Sequence, residues 1–421
     1  MNYKQIISHK HLFTALVVLS SLTASAQQMA GGDVSMLPKY EAANVKYYTQ
    51  NGTTISNVLT HLHDEAGFSI IRLRLFVNPT GETGVVQDLD YVKTLGQRVK
   101  AAGMKLMLDF HYSDTWADPS NQWTPEAWKS LTDAQLYDKI YDYTKTCLTE
   151  LVAAGAQPDY IQTGNEISYG MLWGPKGTSS PKKCYTSNNA NWDRFRTLLG
   201  KAGQACREVC PQAKIIIHTE RTGNWSTTKG VYEKLSSVDY DIIGLSYYPE
   251  WHNNLATLKA TLLNIRNTFA DKPVMIVETG YYNNWYPSNA SYNFTSTWPA
   301  SPDGQKKFLD QLVETVKPLT HVQAIIYWFP EENPYQNRVY EPWYNHGLFN
   351  PNNGRASEAL YSLKAFADDE TGVNQIPQLE DNGTYTDKAA TPWTTLGGQV
   401  LSGRPTTKGI YVKGGKKVVV K

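Results

Sequence analysis

The chain has 421 residues, 41% of them hydrophobic and 19% charged, with a formal net charge of +1. That composition can bury one large α/β core or two ordinary ones, and it excludes a mainly disordered chain. The near-zero charge gives nucleic acid or an anionic membrane no advantage as a partner and suits a neutral polymer.

The chain opens "MNYKQIISHKHLFTALVVLSSLTASAQQ", with Lys4 and Lys10, an apolar run from Leu12 to Leu22, then Ala24-Ser25-Ala26. This reads as a signal peptide over residues 1–26, cut before Gln27. The run is too short for a bilayer anchor, and no later run approaches spanning length. The expected product is exported: periplasmic, cell-surface or secreted, with no membrane span.

From residue 27 to 366, apolar runs alternate with amphipathic stretches. The runs are "AGGDVSML", "FSIIRLRLFV", "KLMLDFHYSD", "DYIQTGNEI", "KIIIHTE", "YDIIGLSYYP", "KPVMIVETG" and "AIIYWFP"; the helical stretches fall at 54–66, 88–102, 133–154, 191–209, 253–270, 303–317 and 354–366. Near-continuous apolar strands between helices predict a parallel sheet covered by helices, and eight units predict an α/β fold of the (β/α)8 TIM-barrel type. An open doubly wound sheet should carry a Gly-rich turn after its first strand, and "GGDVS" is not that fingerprint.

In such a barrel the chemistry sits at the C-terminal strand ends. Polar residues collect there: Asp33, Arg74, Asp109 with His111 and Asp114, Asn165 with Glu166, His218 with Glu220, Ser246 with Tyr247, Glu278, and Trp328. Glu166 ends the fourth run and Glu278 the seventh, on strands that face each other across the axis. Two carboxyls about 5–5.5 Å apart can cleave a glycosidic bond with retention; a pair about 6.5–9.5 Å apart inverts. One acid must keep its proton while the other stays ionised. Asn165 is placed to bond a sugar hydroxyl, and Arg74 is the candidate cation for the ionised acid. Taken singly, each acid is as well explained as a helix cap or surface ion pair. His111 and His218 read first as packed core histidines, though at strand tips they can touch sugar hydroxyls. Their spacing makes no zinc motif. The chain has 27 Tyr and 12 Trp. Its loop tryptophans serve either as half-buried packing or as platforms for sugar rings.

Cys147, Cys184, Cys206 and Cys210 show no metal-ligand spacing, and in an exported chain they allow two bridges in three connectivities. They are read as structural or free. Beyond 366 the chain reads as a polar linker over 367–395 and a short β-rich tail over 396–421, with one or two strands about a Gly turn.

The stretch "DFHYSDTWADPSNQ" resembles the signature of glycoside hydrolase family 53, the arabinogalactan endo-β-1,4-galactanases. Around it, "GGDVSML", "IRLRLFVNP", "PDYIQTGNEISYGMLWGP", "IGLSYYPEWH" and "KPVMIVETGY" stand in the family's order, covering residues 30–350. The resemblance implies a retaining barrel enzyme of the clan A type acting on β-1,4-galactan, the side chains of pectin. It implies Glu166 as acid/base and Glu278 as nucleophile. Asp33, Arg74, His111, Asp114, Asn165, Tyr247 and Trp328 would line the subsites, and Trp116 and Trp343 would be wall residues. No cofactor and no metal is expected: the seventh loop, where some members hold calcium, has no acid before Asp303. "NEIS" and "HTERTGN" depart from the commoner family patterns. Rival readings keep the barrel and change the polymer to xylan, mannan or glucan, or make the chain a non-catalytic glycan-binding protein. The tail resembles C-terminal sorting segments of exported Bacteroidetes proteins. A monomer is expected.

Overall fold

A computed structural model describes residues 27–82, 84–336, 345–367, 393–395, 399–401, 403–407, 409–413 and 416–420. The expected signal peptide lies outside the described residues. Eight parallel strands close into a barrel: β1 (Met29–Asp33), β2 (Phe68–Leu75), β3 (Lys105–Phe110), β4 (Tyr160–Gln162), β5 (Lys214–Thr219), β6 (Ile242–Tyr247), β7 (Val274–Thr279) and β8 (Val322–Trp328), with β8 pairing back to β1. The outer ring holds α1 (Val58–Asp64), α2 (Leu89–Ala101), α3 (Asp133–Ala153), α4 (Trp192–Val209), α5 (Trp225–Lys234), α6 (Leu255–Thr268) and α7 (Pro302–Val316).

Most helix starts are written in the sequence. Asn57, Asp88, Asn224, Asn254 and Ser301 each cap a first turn through the side chain, and Thr132 with Gln135 closes a capping box on α3. The sequence reading names no helix between the fifth and sixth runs, yet α5 forms there. Thr227, Thr228, Gly230 and Val231 weaken its propensity, while the Asn224 cap and the burial of Val231 and Tyr232 overcome that. The helix expected over 354–366 shrinks to a 3₁₀ turn (Glu358–Tyr361) and a short helix (Lys364–Ala367), because Ala356 is held in a bridge with Phe349.

Strand side chains alternate, and here the alternation separates two cores. Met29, Ile70, Met107, Tyr160, Ile216, Ile242, Met275, Val277, Ala324 and Ile326 form one cluster, the apolar plug inside the barrel. Ile71, Leu73, Leu108, Ile217, Leu245, Ile276 and Tyr327 belong to the larger cluster between strands and helices. At Gly31, inside β1, a Cβ would stand 2.1 Å from the Ile70 carbonyl oxygen, so only glycine lets β1 and β2 approach this closely.

The four cysteines are buried and unbridged, and burial raises each thiol's pKa, which makes them inert packing groups. In the tail, Val400–Leu401, Trp393–Thr395, Gly409–Lys413 and Lys416–Val420 form a four-stranded antiparallel sheet in that order. One of these strands, Trp393–Thr395, falls in the stretch read as linker. Among the described residues no helix is long and apolar enough to cross a membrane.

Candidate active site

Counting by twos from the plug tells which strand-end residues enter the barrel mouth. From Ile70 the count reaches Arg72 and Arg74; from Met107, Asp109; from Tyr160, Gln162; from Ile216, His218; from Ile242, Ser246 and then Tyr248. β7 breaks the rule. Against β6 its register passes from Ile276 directly to Glu278, and against β8 from Ile276 to Thr279, so β7 carries one extra residue near Val277. This bulge brings Glu278 to the inner face, although Val277 beside it also packs in the plug.

The hub of the mouth is Arg72, fully buried. Its guanidinium donates to Asp33 Oδ2 (2.7 Å), Asp109 Oδ2 (2.8 Å), Asn165 Oδ1 (2.7 Å) and Gln162 Oε1 (2.7 Å), and stands 3.2 Å from Glu278 Oε2. Burial opposes its charge, but Asp109, Glu278 and Asp33 outweigh that and raise its pKa. Arg74 was the expected partner of the ionised acid. It instead donates to Asp33 Oδ1 (2.8 Å) and lies over the rings of Trp116 and Phe329. Burial would lift the Asp109 carboxyl, yet Arg72 and His111 bring it down to about 2.

The two glutamates sit in unequal surroundings. Glu278 has Arg72 on Oε2 and accepts the Tyr248 hydroxyl on Oε1 (2.9 Å). Burial raises its pKa, while Arg72 and the Tyr248 hydrogen bond pull it back. Among the described residues no cation pairs with Glu166. Its Oε1 accepts from Ser246 Oγ (2.5 Å), and Ser246 is the ladder partner of Glu278, so the Glu166 carboxyl crosses from β4 to the β6–β7 seam. Burial, then the charge of Glu278, then Glu220 push its pKa well above the carboxylate range. A proton shared by this pair therefore rests on Glu166 and the charge on Glu278. Glu166 also holds a left-handed backbone, φ +49°, costly for a non-glycine residue and typical of positions fixed by function.

Asn165 is oriented through both ends of its amide: Oδ1 accepts from Arg72 and Nδ2 donates to Ala117 O (2.7 Å), which among the described residues leaves one amide hydrogen for a ligand. His111 accepts the Ala117 N–H on Nδ1 and places Nε2 3.1 Å from Asp109, which makes it an orienting group in the mouth. Trp328 and Trp116 meet edge to face, with centroids 6.4 Å apart, on the β8 side. His218 is fully buried between Glu166 and Ser246. Glu220, another acid at a strand end, is tied to Ser168 (2.5 Å) and Arg221 (2.9 Å).

Two residues stand elsewhere. Tyr247 points outward: its ring stacks on Phe308 of α7 and its hydroxyl donates to Asn253 O (2.9 Å), so Tyr248 is the tyrosine in the site. Both Asp114 oxygens accept backbone N–H groups, from Asn78 (2.9 Å) and Glu126 (2.8 Å), which makes it a brace between loops. Trp343 lies outside the described residues. Arg72, Tyr248 and Ser246 complete the site. Their signal in the sequence was strand parity counted from the plug.

A closed parallel barrel whose mouth holds two acids of such unequal character places the chain among the barrel glycoside hydrolases. The chain belongs to glycosyl hydrolase family 53, whose model matches residues 29–366. It is 36% identical over 335 residues to the arabinogalactan endo-beta-1,4-galactanase A of Aspergillus niger, covering 76% of this chain and 89% of that one. Among solved structures it is similar to the family 53 catalytic domain of Ignisphaera aggregans (TM-score 0.70, 31% identity, 81% of this chain and 95% of that one). It is also similar to a fungal β-1,4-galactanase (TM-score 0.68, 30% identity, 81% and 99%).

Proposed function

We propose that this protein is an endo-acting, retaining β-1,4-galactanase that cuts the galactan side chains of pectin into galactooligosaccharides. The observation that carries this reading is the contrast between Glu278, flanked by Arg72 and Tyr248, and Glu166, whose carboxyl accepts from the neutral Ser246 hydroxyl and faces the charges of Glu278 and Glu220. Glu278 attacks the anomeric carbon while Glu166 gives its proton to the departing glycosidic oxygen. Glu166, now ionised, takes a proton from water as that water attacks the same carbon and frees Glu278; two inversions give net retention. Asn165, held by Arg72, offers its free amide hydrogen to a hydroxyl beside the reacting carbon. Trp116 and Trp328 supply aromatic surface for sugar rings, whose C–H faces pack on such groups.

The named activity of the Aspergillus niger relative and the net charge of only +1 support galactan as substrate. The reading takes residues 1–26 as a signal peptide, 27–366 as the catalytic unit and the exported protein as a monomer. Purified protein should release short oligosaccharides from linear β-1,4-galactan and leave xylan, mannan and β-glucan intact. Preference for one of the latter polymers would refute the substrate. Glu278→Gln should lose essentially all turnover while melting as the wild type does; retained activity would refute the mechanism.

A further inference from the structure

Hydrogen-bond direction at the acid can be followed atom by atom, and what it implies rests on the reading of Glu166 as acid and base. We propose that Ser246, oriented by His218, is a positioning residue that reserves Glu166 Oε1 as an acceptor and confines the acid's proton to Oε2. Oε2 then serves first the glycosidic oxygen and later the water.

The chain of donors starts at the backbone. The Glu166 N–H can only donate, and it points at His218 Nδ1 (3.4 Å), so Nδ1 carries the lone pair. His218 is fully buried and next to Arg72, which keeps its imidazole neutral, and the ring hydrogen is therefore on Nε2. Nε2 lies 2.8 Å from Ser246 Oγ and donates to it. Ser246 has one hydrogen, and its remaining contact among the described residues is Glu166 Oε1 at 2.5 Å. The hydroxyl therefore donates there. A proton on Oε1 would confront the Ser246 hydrogen and leave it without an acceptor in a buried site, a costly arrangement. The left-handed turn at Glu166 is the conformation in which its own N–H meets His218 while its side chain meets Ser246.

The general acid thus has one reactive oxygen in both half-reactions. In the first, the Oε2–H bond breaks as the leaving oxygen takes the proton; in the second, Oε2 gains the proton of the attacking water. Throughout, Oε1 stays bonded to Ser246, so no carboxyl rotation is needed between steps.

The test uses Ser246→Ala and Ser246→Thr in the full chain. Each variant is assayed on linear β-1,4-galactan and on a dinitrophenyl β-galactobioside, whose leaving group departs without a proton. Loss of one hydrogen bond to a charged group should lower kcat/KM of the Ala variant on galactan about 10- to 100-fold. On the activated substrate the loss should stay under about threefold, because that step bypasses the acid. The alkaline limb of the galactan profile should move to higher pH, because the ionised acid loses a donor, and Thr, which keeps the hydroxyl, should restore both readouts. Equal losses on the two substrates, an unmoved limb, or a natively melting Thr variant as impaired as Ala would overturn the proposal. Glu166→Ala separates the two levels of inference. If it loses the activated substrate as severely as galactan, the acid reading falls and takes the proposal with it. If it spares the activated substrate and regains rate with azide while Ser246→Ala behaves as wild type, only the proposal falls.

Discussion

Tyr248→Phe removes one atom from the site and tests how Glu278 is kept ionised. The Tyr248 hydroxyl makes a 2.9 Å hydrogen bond to Glu278 Oε1, and burial beside Glu278 and Glu166 raises its own pKa well above the phenol range, so it remains a donor at any working pH. A hydrogen bond to a charged acceptor contributes about 1.5–3 kcal/mol, so kcat/KM on galactan should fall roughly ten- to a hundredfold. Arg72 still faces Oε2, which is why the loss stops short of inactivation. The direction in pH is fixed: the ionised form of Glu278 loses a donor, its pKa rises, and the acidic limb of kcat/KM moves to higher pH. Activity is lost most below the wild-type optimum and least above it. The control is Tyr247→Phe, which loses only a bond to the Asn253 carbonyl on the outside of the barrel. It should cost some stability and leave both limbs in place. The assay is initial-rate hydrolysis of galactan across pH for both variants, with thermal melts alongside. A Tyr248→Phe enzyme within twofold of wild type at every pH, or a Tyr247→Phe enzyme that moves the acidic limb, would refute the parity argument and the assignment of Tyr248.

Arg72→Met strands Asp109 and Glu278 without their shared cation and leaves Asp33 with Arg74 alone, and should cost about 3–5 kcal/mol in denaturant unfolding together with all activity. An enzyme that unfolds at the wild-type midpoint would contradict the hub. Asp114→Asn exchanges one of two acceptors that brace the loops and should lower the melting temperature while kcat/KM on galactan stays within about threefold; a loss confined to turnover would restore Asp114 to the site. Buried Glu331 has its pKa raised to about 8 by burial and then by Asp33. Its stabilising form is therefore the protonated one, fully present below the unfolded value near 4.5 and lost as pH rises toward 8. Glu331→Gln, which keeps the acceptor for the Met36 N–H, should raise stability at pH 8 by on the order of 4 kcal/mol and change little at pH 4; equal melts at pH 8 would refute the burial argument.

The parts of the site that were legible in the sequence are those that depend on where a strand ends. Glu166, Glu278, Asp33, Asn165 and Trp328 each terminate an apolar run, and a strand packed on both faces has no use for an acid or amide at its tip unless the barrel mouth receives it. The parts that were missed depend on which face a residue occupies. "IRLRLF" offers two arginines, and both in fact face inward, so choosing the one nearer the strand end selected Arg74 and passed over Arg72. "LSYYP" offers two adjacent tyrosines, and a shift of one position exchanges inside for outside. Fixing that parity needs an anchor such as Ile242 in the plug, and runs this uniformly apolar do not show which alternate set points to the axis. The α5 helix was missed for a different reason: tertiary burial of Val231 and Tyr232 supports a segment whose own propensity is poor.

Parity also shows why no reading of period two alone could have placed Glu278 in the mouth. Met275 and Val277 both pack in the plug, so strict alternation would send Glu278 outward, toward the helices, where an unpaired carboxylate is prohibitively costly. The extra residue in β7 converts that outward position into an inward one beside Ser246 and within reach of Arg72 and Tyr248. An apolar run with an acid at its end therefore leaves two possibilities, a bulge or a misassigned strand, and the buried cation three strands away along the barrel wall, Arg72, decides between them. Its guanidinium already serves Asp33 and Asp109, and the place left at its edge is filled by the one acid that only a bulge can deliver.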